Sequence, residues 1–101
     1  MRLVVAVLKP AQLETARQAL AAVHVTRLTV CDAHGYGAEQ PDRVRQEVML
    51  EIAVNDDFMD RTVRTLAATL DTGTAEPPRI FVLPVEDAVQ LYRCVRGPEA
   101  V

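Results

Sequence analysis

Residues 48–54 read Val48-Met49-Leu50-Glu51-Ile52-Ala53-Val54, with branched apolar side chains at every second position. Period-two alternation of this kind puts Val48, Leu50, Ile52 and Val54 on one face of a β-strand and Met49, Glu51 and Ala53 on the other. Immediately downstream, Asn55-Asp56-Asp57 supplies N-cap oxygens and negative charge for a helix start. Met59, Val63, Leu66 and Leu70 then recur at helical spacing, and Asp71-Thr72-Gly73 ends the segment. A strand followed without a linker by an amphipathic helix is half of a layered α/β unit.

Working outward, the same unit occurs at the start of the chain. Leu3 to Leu8 has no polar alternation and reads as a strand covered on both faces. Lys9-Pro10 stops it, and Pro10 suits the first turn of a helix. Leu13, Ala16, Leu20 and Val23 form the apolar stripe, with Glu14, Thr15 and Gln18 on the solvated side. Val25 to Tyr36, rich in β-branched residues, reads as a strand that runs into the hinge Gly35-Tyr36-Gly37. A polar loop, residues 38–46, separates it from the strand at 48–54. Residues 74–78 form a proline-stiffened loop, Ile80 to Leu83 a further buried strand stopped by Pro84, and Gly97-Pro98 breaks the tail. Residues 85–92 fit either a short helix or a strand. The order β-α-β-β-α-β over one domain, residues 1–101, predicts an α+β, ferredoxin-like sandwich with both helices on one face of an antiparallel sheet.

Composition narrows the function classes. The chain has 101 residues, half of them apolar, yet only Tyr36, Phe58, Phe81 and Tyr92 are aromatic. The core is therefore aliphatic, and a domain of this size gains from further burial by oligomerisation. Net charge is −3, with Lys9 the single lysine beside ten arginines, so no basic face for nucleic acid is expected. The run at 3–8 is too short for a secretory core or a membrane span, which makes the cytoplasm the expected compartment. Cys31 and Cys94 are accordingly expected as reduced thiols.

The topology hosts many activities, so specific residues must carry the functional reading. Val7-Leu8-Lys9-Pro10, Leu28-Thr29-Val30 and Gly35-Tyr36-Gly37 resemble, in order and spacing, the opening of the PII signal-transduction proteins. Ile80-Phe81-Val82-Leu83-Pro84-Val85-Glu86 resembles that family's last core strand, and Arg96-Gly97 its C-terminal region. The resemblance implies a homotrimer that regulates nitrogen metabolism, with ATP or ADP bound between subunits. A loop reports to a transporter or metabolic enzyme as a ligand-dependent population shift. In many members 2-oxoglutarate joins the nucleotide through magnesium.

Carried over position by position, the resemblance makes Val7, Thr29, Gly35, Tyr36 and Gly37 the adenine-side wall and loop hinge. Arg79 stands for a phosphate-contacting lysine. Gln90 and Tyr92 replace arginines of typical members, leaving Arg93 and Arg96 as candidate phosphate contacts. The glycine-rich phosphate loop is replaced by Thr74-Ala75-Glu76-Pro77-Pro78, whose prolines offer no N–H donors. Glu39, Gln40, Arg43, Arg45 and Glu47 form the expected effector or partner loop. Glu47 replaces a lysine that contacts the 2-oxoglutarate carboxylate, a repulsion of about 1 kcal/mol or more, so weak or absent 2-oxoglutarate binding is expected. Bicarbonate is another effector the substitution leaves open.

Competing readings concern the same residues. Cys31-Asp32-x-His34 offers two metal donors, too few for a closed zinc site unless a trimer axis gathers three copies of one ligand. A trimeric metal-binding protein is therefore one alternative, and a structural trimer with a vestigial nucleotide cleft is another. Neither thiol has an evident activating base, and no acid–base constellation is visible, so no enzyme activity is expected. Asp56, Asp57 and Asp60 are explained by helix capping.

Overall fold

The computed structural model describes residues 1–71, 73 and 78–101. Strand β1 (Arg2–Leu8) leads through a 3-10 turn at Pro10–Gln12 into helix α1 (Leu13–Ala22). Strands β2 (Thr29–Gly35) and β3 (Arg45–Val54) follow, then helix α2 (Asp56–Leu70) and strand β4 (Arg79–Pro84). A hairpin, β5 (Val89–Gln90) and β6 (Val95–Arg96), precedes a 3-10 turn at Gly97–Ala100. The four long strands make one antiparallel sheet in the order β2-β3-β1-β4, which is the ferredoxin-like arrangement. The segment 85–92, left open between helix and strand, is neither throughout: residues 85–88 are irregular and only Val89–Gln90 is strand.

The core lies between the sheet and both helices. Val4, Ala6 and Leu8 of β1 pair in register with Ile52, Leu50 and Val48 of β3. These six, with Val54, are buried against Ala16, Leu20, Leu66 and Leu70. The alternation at 48–54 thus assigns the buried face as expected. Thr62 is the one buried polar residue among those described, and its hydroxyl donates to Phe58 O at 2.8 Å. Arg61 ties the helices together: its guanidinium lies 4.4 Å from the Phe58 ring centroid and donates to Val23 O.

Three local expectations are corrected. Strand β2 begins at Thr29, not Val25, because α1 closes through residues 23–25. The His24 N–H donates to Ala21 O and the Val25 N–H to Leu20 O, the two bonds of a Schellman cap. His24 takes the left-handed position, φ 67°. Glycine carries no steric penalty there, so His24→Gly is expected to raise stability by about 0.5–1 kcal/mol, seen as a higher urea midpoint at unchanged slope. Asn55 is the N-cap of α2 but makes no side-chain cap bond; its Nδ2 donates to Pro98 O at 3.0 Å, pinning the C-terminal turn. Asp56 instead accepts from the Met1 ammonium at 2.9 Å.

The third correction concerns β4. It is an edge strand, and within one chain Phe81 is 50% and Leu83 44% exposed. Register places both on the sheet face opposite the helices, beside Val5 and Leu3. No described layer covers that face, and β1's Leu3, Val5 and Val7 are only half-buried. Apolar exposure on this scale marks an interaction surface. The Cα radius of gyration is 14.7 Å, above the ~13 Å of a compact domain of this length.

Candidate functional site

The residues singled out from the sequence fall on the helix-free face and at its two edges. Register across the sheet gives one row Cys31–Met49–Val7–Arg79 and a neighbouring row Thr29–Glu51–Val5–Phe81. Val7 and Arg79 are direct partners at the β1–β4 edge. Thr29 starts β2 and Gly35 ends it, with Tyr36 and Gly37 just beyond. Three inter-strand spacings separate β2 from β4, about 14 Å. The candidate residues therefore fall into two groups that do not meet within one chain.

The group on β2 has a concave surface. Thr29 lines a groove of about 330 Å³ with Arg27, Glu51 and the terminal Ala100 and Val101. Glu51 was not among the expected site residues, yet it sits opposite Thr29 in register. A charge on the otherwise apolar phase Met49, Glu51, Ala53 was the signal that pointed to it. A second cleft, about 190 Å³, is lined by His24, Arg27, Asn55 and Phe58 and contains none of the expected residues.

The loop after the hinge is shorter than expected. Strand β3 already begins at Arg45, so the connection comprises residues 36–44, and Arg45, Gln46 and Glu47 belong to the sheet. Glu39, Gln40 and Arg43 are exposed in the loop, where the Arg43 N–H donates to Gln40 O. Arg45 Nη2 donates to Glu47 Oε1 at 3.1 Å. Both side chains project from the helix-free face, at the level of Gly35.

The hairpin carries the remaining arginines. Arg93 is exposed in its turn, next to Leu91 and Tyr92, which are 85% and 96% exposed. Arg96 is engaged by Asp87: its Nε donates to Oδ2 at 3.1 Å, and its Nη2 reaches the same oxygen. Arg96 thus reaches a phosphate only by sharing or leaving this carboxylate. The hydrogen bond from Arg96 holds the Asp87 carboxyl below its ordinary 3.8, with the Ala88 amide adding to the effect. A depressed folded value means the stabilisation is present above pH 3.8 and is lost as pH falls through the lower folded value. Asp87→Asn is expected to flatten that acid limb of the melting temperature, measured between pH 7 and 2.5.

Period-two alternation puts Cys31 on the helix-free face and His34 on the other, so the two cannot close on one ion within a chain. Among the described residues no three His, Cys, Asp or Glu side chains cluster as metal donors. The expected proline-containing phosphate loop lies outside the described residues, apart from half-buried Pro78. Among the described residues no helix is long and apolar enough to cross a membrane.

Comparison with known proteins bears on the family and the fold. The family model described as nitrogen regulatory protein P-II matches residues 1–94. The chain is 32% identical to nitrogen regulatory protein GlnK1 of Methanosarcina mazei, over all of this chain and 97% of that one. It is also 32% identical to nitrogen regulatory protein P-II of Rhizobium etli, over the full length of both. Among solved structures it is similar to Arabidopsis thaliana PII bound to citrate. There the TM-score is 0.88 at 29% identity, covering 99% of this chain and 91% of the other.

Proposed function

The chain belongs to the nitrogen regulatory P-II family, and we propose that it is a cytoplasmic, homotrimeric signal-transduction regulator that senses ATP or ADP in clefts between subunits. One observation carries the reading. The hinge side of the site, Thr29 with Gly35 to Gly37, and the cationic side, Val7 with Arg79, occupy opposite edges of one sheet. A ligand that needs both must lie where the β2 edge of one copy meets the β4 edge of another. The uncovered apolar face between those edges supplies the driving force for assembly. The nucleotide base would rest against Thr29 and the hinge, and the phosphates, with or without magnesium, against Arg79 and Arg93.

Ligand binding at the hinge would bias the 36–44 loop between conformations, and the loop would present Glu39, Gln40 and Arg43 to a transporter or metabolic enzyme. With Glu47 paired to Arg45 at the loop's root, an anionic second effector such as 2-oxoglutarate is disfavoured there.

Calorimetric titration tests the reading. ATP or ADP should bind the parent chain in the micromolar range. Arg79→Ala should weaken binding roughly 10- to 100-fold, the value of a charge-assisted phosphate contact. Unchanged affinity in that variant would remove Arg79 from the site. The absence of heat with any adenine nucleotide would favour the structural trimer with a vestigial cleft.

A further inference from the structure

The 3-10 turn at Gly97–Ala100 carries the chain from the hairpin back to the start of β2, where Ala100 and Val101 line the groove at Thr29. Val101 also lines the smaller cleft beside Phe58, so it stands between the two. Two hydrogen bonds fix this course. Gly97, left-handed at φ 73°, donates its N–H to Ala88 O at 2.8 Å as the chain turns off the hairpin. Asn55 Nδ2 donates to Pro98 O at 3.0 Å from the far end of the sequence. Asn55 is placed to cap α2, yet its side chain makes no cap bond, and its Oδ1 is buried without a partner. Both features cost stability. A residue that forgoes its cap and leaves an oxygen unpaired to hold a remote turn points to a role for that turn.

We propose that Asn55 is a positioning residue for ligand binding: by latching Pro98 it holds Ala100 and Val101 in place as an apolar wall of the groove at Thr29. The wall is built from the same chain as Thr29 and Glu51, so the latch acts before any second copy arrives. A flat, largely apolar ring placed against Thr29 gains contact with Ala100 and Val101 and leaves water on that side. Release of Pro98 lets the wall swing away and opens the groove to solvent. Ligand and latch therefore favour each other, and by linkage each strengthens the other by the same factor. The identity of the ligand as an adenine nucleotide rests on the regulatory reading above; the latch itself rests on the contacts of Asn55, Pro98 and Gly97.

The experiment compares the intact parent chain with Asn55→Ser and Asn55→Asp. Serine and aspartate cap helices as well as asparagine does, so α2 keeps its start. Serine is one bond too short for Pro98 O, and ionised aspartate has no donor to offer it. Hydrogen exchange of the Gly97 amide reads the latch, and it should run roughly 3- to 10-fold faster in both variants, the value of one hydrogen bond. Calorimetric titration with ADP reads the wall, and affinity should fall roughly 3-fold or more in both. Saturating ADP should slow Gly97 exchange in the parent, a response that a merely structural tie would not give. Parent-like exchange at Gly97 in both variants would overturn the latch. Faster exchange with parent-like ADP affinity would overturn the wall. A parent chain that gives no heat with ADP would overturn the nucleotide reading, and the wall's part in it, a result distinct from the other two.

Discussion

Phe81→Asp is expected to convert the proposed trimer into single chains, with a native mass near 11.1 kDa in place of three times that value. Phe81 stands on the helix-free face, in register with Val5, and is 50% exposed in one chain. Completing the burial of such a side chain contributes on the order of 1 kcal/mol per copy. That loss alone is modest. The decisive effect is the carboxylate, because taking an unpaired ion out of water costs several kcal/mol. A trimer that buries this face would incur that cost three times. The single chain has only the solvated face to maintain, so its fold should persist. Sedimentation equilibrium reads the mass and circular dichroism the fold. A variant that remains trimeric would mean copies associate through a different surface.

Ile52→Ala is expected to lower the unfolding free energy by about 3–4 kcal/mol. Ile52 is fully buried on the central strand β3, opposite Val4 of β1, and both sit beneath the helices. A strand fixed on both sides cannot move to fill the vacancy, which places the cost well above that of an edge position. Domains of this size hold roughly 5–15 kcal/mol in all, so the variant loses a large share of its stability. In urea the midpoint should fall at unchanged slope. Ala53→Ser, one residue away on the exposed face, serves as the control with little effect.

The fold was legible where burial alone decides conformation. Alternation at 48–54 and the stripes of α1 and α2 are imposed by one apolar core, so the pattern survives intact in the sequence. Resemblance in the Val7–Pro10, Thr29 and Gly35–Gly37 stretches then matched a family that the comparison supports. What could not be read depends on partners remote in the chain. Ile80 to Leu83 looked buried because it is apolar, yet only Ile80 packs on the core, and Phe81 and Leu83 stand half-exposed on a face that no described layer covers. Asn55 was expected to cap α2 with its side chain, yet Pro98, forty-three residues away, takes its amide instead. The strand start at Val25 was wrong because a histidine fills a position usually signalled by glycine. Arg45 and Glu47 were assigned to the loop because polar residues resemble a loop. Their pairing across Gly35, and the engagement of Arg96 by Asp87, are visible only in three dimensions.

The most direct test of a nucleotide cleft shared between copies is calorimetric titration of ADP into the Phe81→Asp single chain beside the parent. Phe81 stands two residues from Arg79 on the same face, so Leu83→Asp, two residues further along that face, is titrated alongside to separate loss of assembly from a direct effect of the new carboxylate on Arg79. The parent should bind one ADP per chain in the micromolar range and the single chain should give no heat. Equal affinity in both would contradict a cleft built from two subunits and place the nucleotide within one chain.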